Sequence, residues 1–558
     1  MVKRFLEFLY QETKSLNQAA FLLGFFAFLS QILAFVRDRL LAHIFGASEA
    51  LDIYYAAFRI PDFIFVAVAS MVSLSVLLPF IVEEESKGKE YLRYFINNIF
   101  SFFSVVIILV SGLAFILMPV LASTLFKGFG PEALSETIFI SRVLLLSPII
   151  LGFSNLFGSL TQAYQRFAVY ALAPVLYNAG IILGIIFLAG SFGVLGIAIG
   201  VVAGALLHLL IQIPFVLTLG LFPKLLWRID FSSIAKVVSL SLPRTLTLSM
   251  SQLAFIFLVA LASLMPAGSI SVLSFSFNLQ SVPLALIGVS YSLAAFPTLS
   301  RHFKEKNIEA FKAQMIVTTR FIIFWSLPLT ALIIVLRAQI VRVVLGSGEF
   351  LWDDTRLTAA VLALFAISSL SQSLLLLFMR GFYSAGFTRK PFFINLFSTS
   401  ILFLFAWGLI KIFYTHEGLR IFIGSLLRVE DLPNIGVLVL PLAFSLAIIL
   451  NSIILWLAFE KEFNGFSRGV TRSLFDSLGT SVVVGIVAYL SLKVFAPLFG
   501  TTTLIGLFLQ GAISGLAACI VGIVVLATLK NKELSEIWNA IRDKFWKTKI
   551  IATDPEIV

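Results

Sequence analysis

Apolar residues run in stretches of about twenty along almost the whole chain, separated by short charged or Gly/Pro-rich breaks, and about twenty is the length that carries an α-helix across the hydrocarbon core of a bilayer. Read this way, the chain predicts about fourteen spanning helices, with approximate limits 17–45, 50–83, 91–125, 134–164, 167–190, 193–221, 234–265, 269–300, 310–337, 355–384, 389–413, 433–459, 473–496 and 502–529. Composition agrees: hydrophobic residues make up 59% of the 558 and charged residues 12%, against about 25% charged in soluble globules. With a mean hydropathy of +1.03, the chain reads as an all-α polytopic membrane protein.

The ends read differently from the middle. MVKRFLEFLYQETKSLN has a basic start but no apolar core followed by a small-residue cleavage site, which argues against a removed signal peptide. Residues 1–16 are expected to form an interfacial amphipathic helix, with Phe5, Leu6, Leu9 and Tyr10 on one side. The formal charge of +11 could suggest nucleic acid, but the basic residues are scattered among short loops, so no nucleic-acid partner is expected. A cytoplasmic N-terminus places Lys87, Lys89, Arg93, Arg166, Lys224, Arg228, Arg301, Lys304, Arg389, Lys390, Lys461 and Arg472 in cytoplasmic loops, the excess that the positive-inside rule demands. The C-terminus falls on the same side, with residues 530–558 expected as a basic tail.

The chain also repeats itself. Ser30-Gln31 in helix 1 matches Ser251-Gln252 in helix 7, and Gly46 precedes Pro61 by the interval that separates Gly268 from Pro283. Helix 5 carries Pro174-Val-Leu-Tyr-Asn178 and helix 11 Pro391-Phe-Phe-Ile-Asn395, each shortly after a tyrosine, Tyr164 or Tyr383. Matches in the same order support two parallel six-helix lobes, 17–221 and 234–459, joined by a cytoplasmic linker at 222–233. Helices 13 and 14, at 473–529, lie outside the duplication. Prolines at 61, 79, 148, 174, 243, 283 and 391 provide either hinges or static kinks.

Within SQILAFVRDRLLAHIFGASEALDIYYAAFRIPD, residues 30–62, the charges Arg37, Asp38, Asp52, Arg59 and Asp62 stand inside helices that otherwise read as spans. A charge at the bilayer centre costs about 2.5–3.5 kcal/mol even on the lenient insertion scale, so charges of both signs imply a polar, water-accessible cavity. Positions seven apart share a helix face, which aligns Asp52 with Arg59 and Gln31 with Asp38. Arg37 and Arg59 suit a phosphate or pyrophosphate group, with Asp38 and Asp52 expected to hold the arginines in position. The competing reading is a set of buried ion pairs that only fix packing or lock one state. Asp62 and Arg39, nearer helix ends, read as structural or interfacial.

Reaction chemistry is not in evidence. His43, His208, His302 and His416 are dispersed without metal-ligand spacing, there is no phosphate-binding loop of the nucleotide-hydrolysing type, and the single cysteine, Cys519, sits in the apolar run LAACIVGIVVLA, where a packed thiol is expected. No cofactor is expected, and transport would draw on an ion gradient, the membrane potential or the substrate's own gradient.

The 30–62 run resembles the start of the MurJ/MviN lipid II flippase family, of the MOP exporter superfamily, whose members read S-R-x-L-G-F-x-R-D, F-G-A-x-x-x-x-D and A-F-[KR]-[IL]-P-N. The similarity continues through LSPIILGFSNLFGSLTQAYQRFAVYALAPVLYNAGII, AAFPTLS, Gly348-Glu-Phe350 and GFYSAGFTRKP, about residues 17–400. The resemblance implies two six-helix lobes in a V-shaped arrangement around a cationic cavity that opens alternately to each side, and a groove at helices 13 and 14 for a lipid tail. It implies a multi-pass protein of the bacterial inner membrane that carries undecaprenyl-pyrophosphate-linked disaccharide-peptide between leaflets, with membrane lipids and cell-wall synthesis proteins as further partners. Arg37, Asp38, Asp52 and Arg59 match functional family positions. Gln31 and Asn278 stand where arginines are usual, Phe65 where a cavity arginine is typical, and Ser70 where an acidic residue is; Gln31 and Asn278 are kept as candidate binding or gating residues. A sodium site would have to rest on Asn395 and neutral oxygens. A flippase for another polyprenyl-linked oligosaccharide, a drug/cation antiporter of the same fold and a non-transporting cell-wall scaffold remain alternatives.

Overall fold

A computed structural model describes residues 16–72, 74–387, 389–433, 435–500 and 503–545. The expected amphipathic helix at 1–16 and the last part of the tail, 546–558, lie outside this range. Among the described residues, twelve helices are long and apolar enough to span a membrane, and thirteen if one bent pair counts as a single span. By that measure the exact count of fourteen is not confirmed. The first expected span is present as a continuous 30-residue helix, Leu16–Phe45, which is not among the twelve.

Several spans depart from a plain α-helix. The expected helix at 50–83 is assembled from Glu49–Ala57, Arg59–Ile64, a π-helical turn at Phe65–Ala69, a 3-10 turn at Ser70–Val72 and Leu74–Lys87. A second π-helical turn, Leu284–Val289, follows Pro283, so the same deviation recurs after the two prolines that the repeat pairs. A proline removes one backbone donor, and a wider turn re-registers the hydrogen bonds beyond it. The expected span 355–384 is broken into Trp352–Ala366 and Ser369–Ser384, which meet at 42°. Helix Ile308–Leu345 continues well past the expected end at 337: Arg337 and Arg342 end an apolar run without ending a helix.

By compactness the chain divides into two units, residues 1–278 with 344–361 and 388–447, and residues 279–343 with 362–387 and 448–558. In the first unit an apolar core of Ile64, Val68, Phe95, Ile99, Phe103, Phe157 and Leu160 joins helices Lys89–Leu125 and Leu146–Ala163 to the π-helical turn. Phe65 packs against this core. Helices Phe167–Phe187 and Val194–Leu210 approach so closely that a Cβ on Gly184 would stand 2.5 Å from the Cα of Gly200, with Gly180 and Gly204 in similar contact. Small residues of this kind let backbones pack where no hydrophobic effect drives helices together.

In the second unit, helices Phe466–Phe499 and Leu504–Thr528 pack through Val484, Ala488 and Ala518, with Leu332 and Val335 of Ile308–Leu345 against them. An apolar groove of about 550 Å³ runs between 327–335 and 478–490. Cys519, expected to be packed, is instead exposed beside exposed Leu516 and Ile520, because helix Leu504–Thr528 turns only one face to its neighbours. The described part of the tail is a helix, Lys532–Phe545, whose Glu533 is 2% exposed and pairs with Arg320. The connection at 415–433 contains a short helix, Glu417–Leu427.

Candidate anion-binding cavity

The first unit encloses a cavity of about 360 Å³ lined by Arg37, Tyr54, Tyr55, Arg59, Asp62, Tyr177, Ser251, Gln252, Ser274 and Asn278, among others. Helix periodicity accounts for part of this: Tyr55, Arg59 and Asp62 follow one another at four- and three-residue steps and therefore share a face.

Arg37 and Asp38 are locked together. Arg37 Nε and Nη2 donate to Asp38 Oδ1 at 2.9 and 2.8 Å, and Arg37 Nη1 donates to Asn178 Oδ1 at 3.2 Å. Asn178 in turn donates to Ser30 Oγ at 3.1 Å and to the Pro174 carbonyl at 3.2 Å. The second carboxylate oxygen of Asp38 accepts from Asn278 Nδ2 at 3.0 Å. An arginine at position 278 would place a second cation on Asp38; asparagine satisfies the same oxygen without adding charge. Asp38 holds Arg37 as its adjacency in sequence suggests, and Asn178, which the sequence marks only as part of the repeat, fixes the guanidinium from the far side.

Arg59 is held differently. Its Nε donates to the Tyr55 carbonyl at 2.8 Å and its guanidinium lies 4.8 Å from the centre of the Phe255 ring. Among the described residues no carboxylate stands within 4.0 Å of it. Its remaining donors face the cavity.

Asp52 does not hold an arginine, contrary to expectation. It is 3% exposed and accepts from Gly268 N and from Ser271 N and Oγ, at 2.7, 2.7 and 2.5 Å, capping helix Ser269–Pro283 from another segment of the chain. The alignment with Arg59 seven residues on holds as a stripe, but Asp52 lies further along it, where the free backbone N–H groups of a helix start are stronger partners than a distant guanidinium. Gly268 adopts φ +88°, and a Cβ there would collide with the Ala47 carbonyl, so the cap requires glycine at that turn. Near it, Glu349 N donates to the His43 carbonyl at 3.0 Å and Arg39 Nη1 to the Val344 carbonyl at 3.3 Å.

Gln31 is half-buried and does not line the cavity, whereas its repeat counterpart Gln252 does. Asp62, read as structural from its place near a turn, lines the cavity because the helix resumes at Arg59. Ser70 Oγ and Thr245 Oγ1 stand 2.7 Å apart, joining the 3-10 turn to helix Phe231–Ala262. Two cavity hydroxyls, those of Tyr55 and Ser274, are buried and make no hydrogen bond. Both hydroxyls are available to bond a polar group in the cavity. Among the described residues no three His, Cys, Asp or Glu side chains come together as a metal site.

Long apolar helices around a charged interior cavity define a polytopic membrane protein, and solved structures share its fold. A structure of lipid II flippase MurJ in its inward closed conformation aligns with a TM-score of 0.72 at 22% identity, over 92% of this chain and 100% of that one. An inward-facing multidrug resistance MATE family transporter of the MOP superfamily aligns at 0.62 and 16% identity, over 79% and 96%. The family model for lipid II flippase MurJ matches residues 41–509, and the chain belongs to that family. It is 28% identical over 411 residues to the probable lipid II flippase MurJ of Haemophilus influenzae, covering 70% of this chain and 80% of that protein. With the probable lipid II flippase MurJ of Thermotoga maritima the identity is 27% over 384 residues, 68% and 76% of the two chains.

Proposed function

We propose that this protein moves lipid II, the undecaprenyl-pyrophosphate-linked peptidoglycan precursor, from the inner to the outer leaflet of the bacterial cytoplasmic membrane by alternating access, acting as a transporter and not as an enzyme. The carrying observation is a cavity deep within spanning helices that presents Arg59 and Arg37 together with the unsatisfied hydroxyls of Tyr55 and Ser274. A guanidinium with free donors matches phosphate oxygens in charge and geometry. The polyprenyl chain would stay in the bilayer. Both termini lie in the cytoplasm in this reading, which puts the Asp52 cap toward the outer side. Partners in cell-wall synthesis and coupling to the membrane potential or to an ion gradient belong to the same proposal.

The test is complementation of a flippase-depleted bacterium together with a leaflet assay. Growth with lipid II reaching the outer leaflet supports the reading; an inserted protein that leaves lipid II on the inner side overturns it. A related flippase for another polyprenyl-linked oligosaccharide is favoured by one observation, the neutral Asn278 that takes up an oxygen of Asp38. That reading predicts rescue of a different polymer under the same assay.

A further inference from the structure

The charges around the cavity cancel. Arg37 is matched by Asp38 at 2.8 Å, and Arg59 shares its short helix and the cavity wall with Asp62. A pyrophosphate diester brings two negative charges, one on each phosphate, into this neutral and weakly polarisable setting, where an uncompensated charge is costly. Something must offset them. Asp38 is unsuited, since both its oxygens already accept hydrogen bonds that a proton would break. Asp52 is unsuited for the same reason. Asp62 differs: it is half-buried, opens on the cavity, and no described residue donates a hydrogen bond to its carboxylate.

We infer that Asp62 is the coupling residue of the cavity, taking up a proton when the pyrophosphate group binds and releasing it when the group leaves. Protonation removes the carboxylate that would repel the anion, turns an acceptor into a donor toward a phosphate oxygen and leaves Arg59 free to serve the substrate. The charged and titratable groups that act on Asp62 are Arg59 on its own helix, Arg37 on the first helix, Tyr54 on Glu49–Ala57 and Tyr177 on Phe167–Phe187. The lining residues from Phe231–Ala262 are the neutral Ser251, Gln252 and Phe255, and Arg142 of Pro131–Leu144 is bonded to the Phe115 carbonyl. A lipid-linked diester has no titration of its own near neutrality, so a proton counted on binding belongs to the protein.

This inference rests on the pyrophosphate reading above, and the experiment separates the two. Lipid II binding to the full chain in nanodiscs of zwitterionic lipid is measured between about pH 5.5 and pH 8.5, and calorimetry in two buffers of different protonation enthalpy counts the protons taken up. Where free Asp62 is ionised, each rise of one pH unit weakens wild-type binding by up to about tenfold; below its free titration point the affinity is flat. Asp62→Asn is expected to bind with no such slope and most tightly relative to wild type at high pH, while Asp476→Asn keeps the wild-type slope. Wild-type binding that takes up no proton at any pH overturns the role of Asp62, as does a slope that survives in Asp62→Asn. The calorimetric count needs only the wild-type chain, so a poorly folding variant does not remove the test. Absence of lipid II binding at every pH overturns both readings.

Discussion

Arg37, Asp38, Asn178 and Asn278 form one hydrogen-bonded set, so removing a single member leaves a buried charge or amide without its partner. Arg37→Ala is expected to abolish complementation and to destabilise the protein by about 2–5 kcal/mol, the range for breaking one side of a buried charge pair. The double variant Arg37→Met/Asp38→Leu removes both charges and should recover much of that stability without recovering transport; melting in detergent beside the leaflet assay distinguishes the two effects. Asp52→Ala strands the N–H groups of Gly268 and Ser271, a loss of about 1–3 kcal/mol that is read as a lower melting temperature and weaker complementation. Asp476→Asn, whose carboxylate has only long contacts, 3.4 Å from Asn531 and 3.8 Å from the exposed Arg472, should leave both near wild type.

Helices here are set less by propensity than by where charge and proline interrupt apolar runs. The spans at 89–125, 167–187 and 504–528 are legible almost to the residue because each is built on a long, mainly apolar run closed by polar or glycine-containing breaks. Those at 49–87 and 352–384 are legible only as lengths, since π-helical turns and a 42° bend depend on which neighbour satisfies the freed backbone groups, and that neighbour is distant in sequence. The glycine pairs of Phe167–Phe187 and Val194–Leu210 carry their own prediction. Gly184→Leu would force the two backbones apart and should destabilise the protein by about 1–3 kcal/mol, the usual cost of overpacking, whereas Gly190→Ala, with open space around it, should melt as wild type does.

For the molecule as a whole, the spread of Lys and Arg among loops sets the direction of insertion. In a Cys519→Ser background, a cysteine placed at Lys304 should react with a membrane-impermeant reagent only from the cytoplasmic side, and one at Glu417 only from outside; labelling in the opposite sense would overturn the orientation. Membrane class, family and the two arginines are all legible in the order of residues alone, because hydropathy, loop charge and the 30–62 run are local properties of the chain.

The sequence by itself determined that the chain is an all-α membrane protein and that the charges in residues 30–62 must be kept from lipid, since no lipid-facing helix tolerates them. Which charge does what was decided only by the tertiary structure. Asp52 left the arginine stripe to cap a helix more than two hundred residues away, Asn178 and Asn278 came in from distant helices to fix Arg37 and Asp38, and Asp62 turned to the cavity. Spacing along one helix specifies a shared face, whereas the partner that meets that face comes from elsewhere in the chain and is specified only by packing.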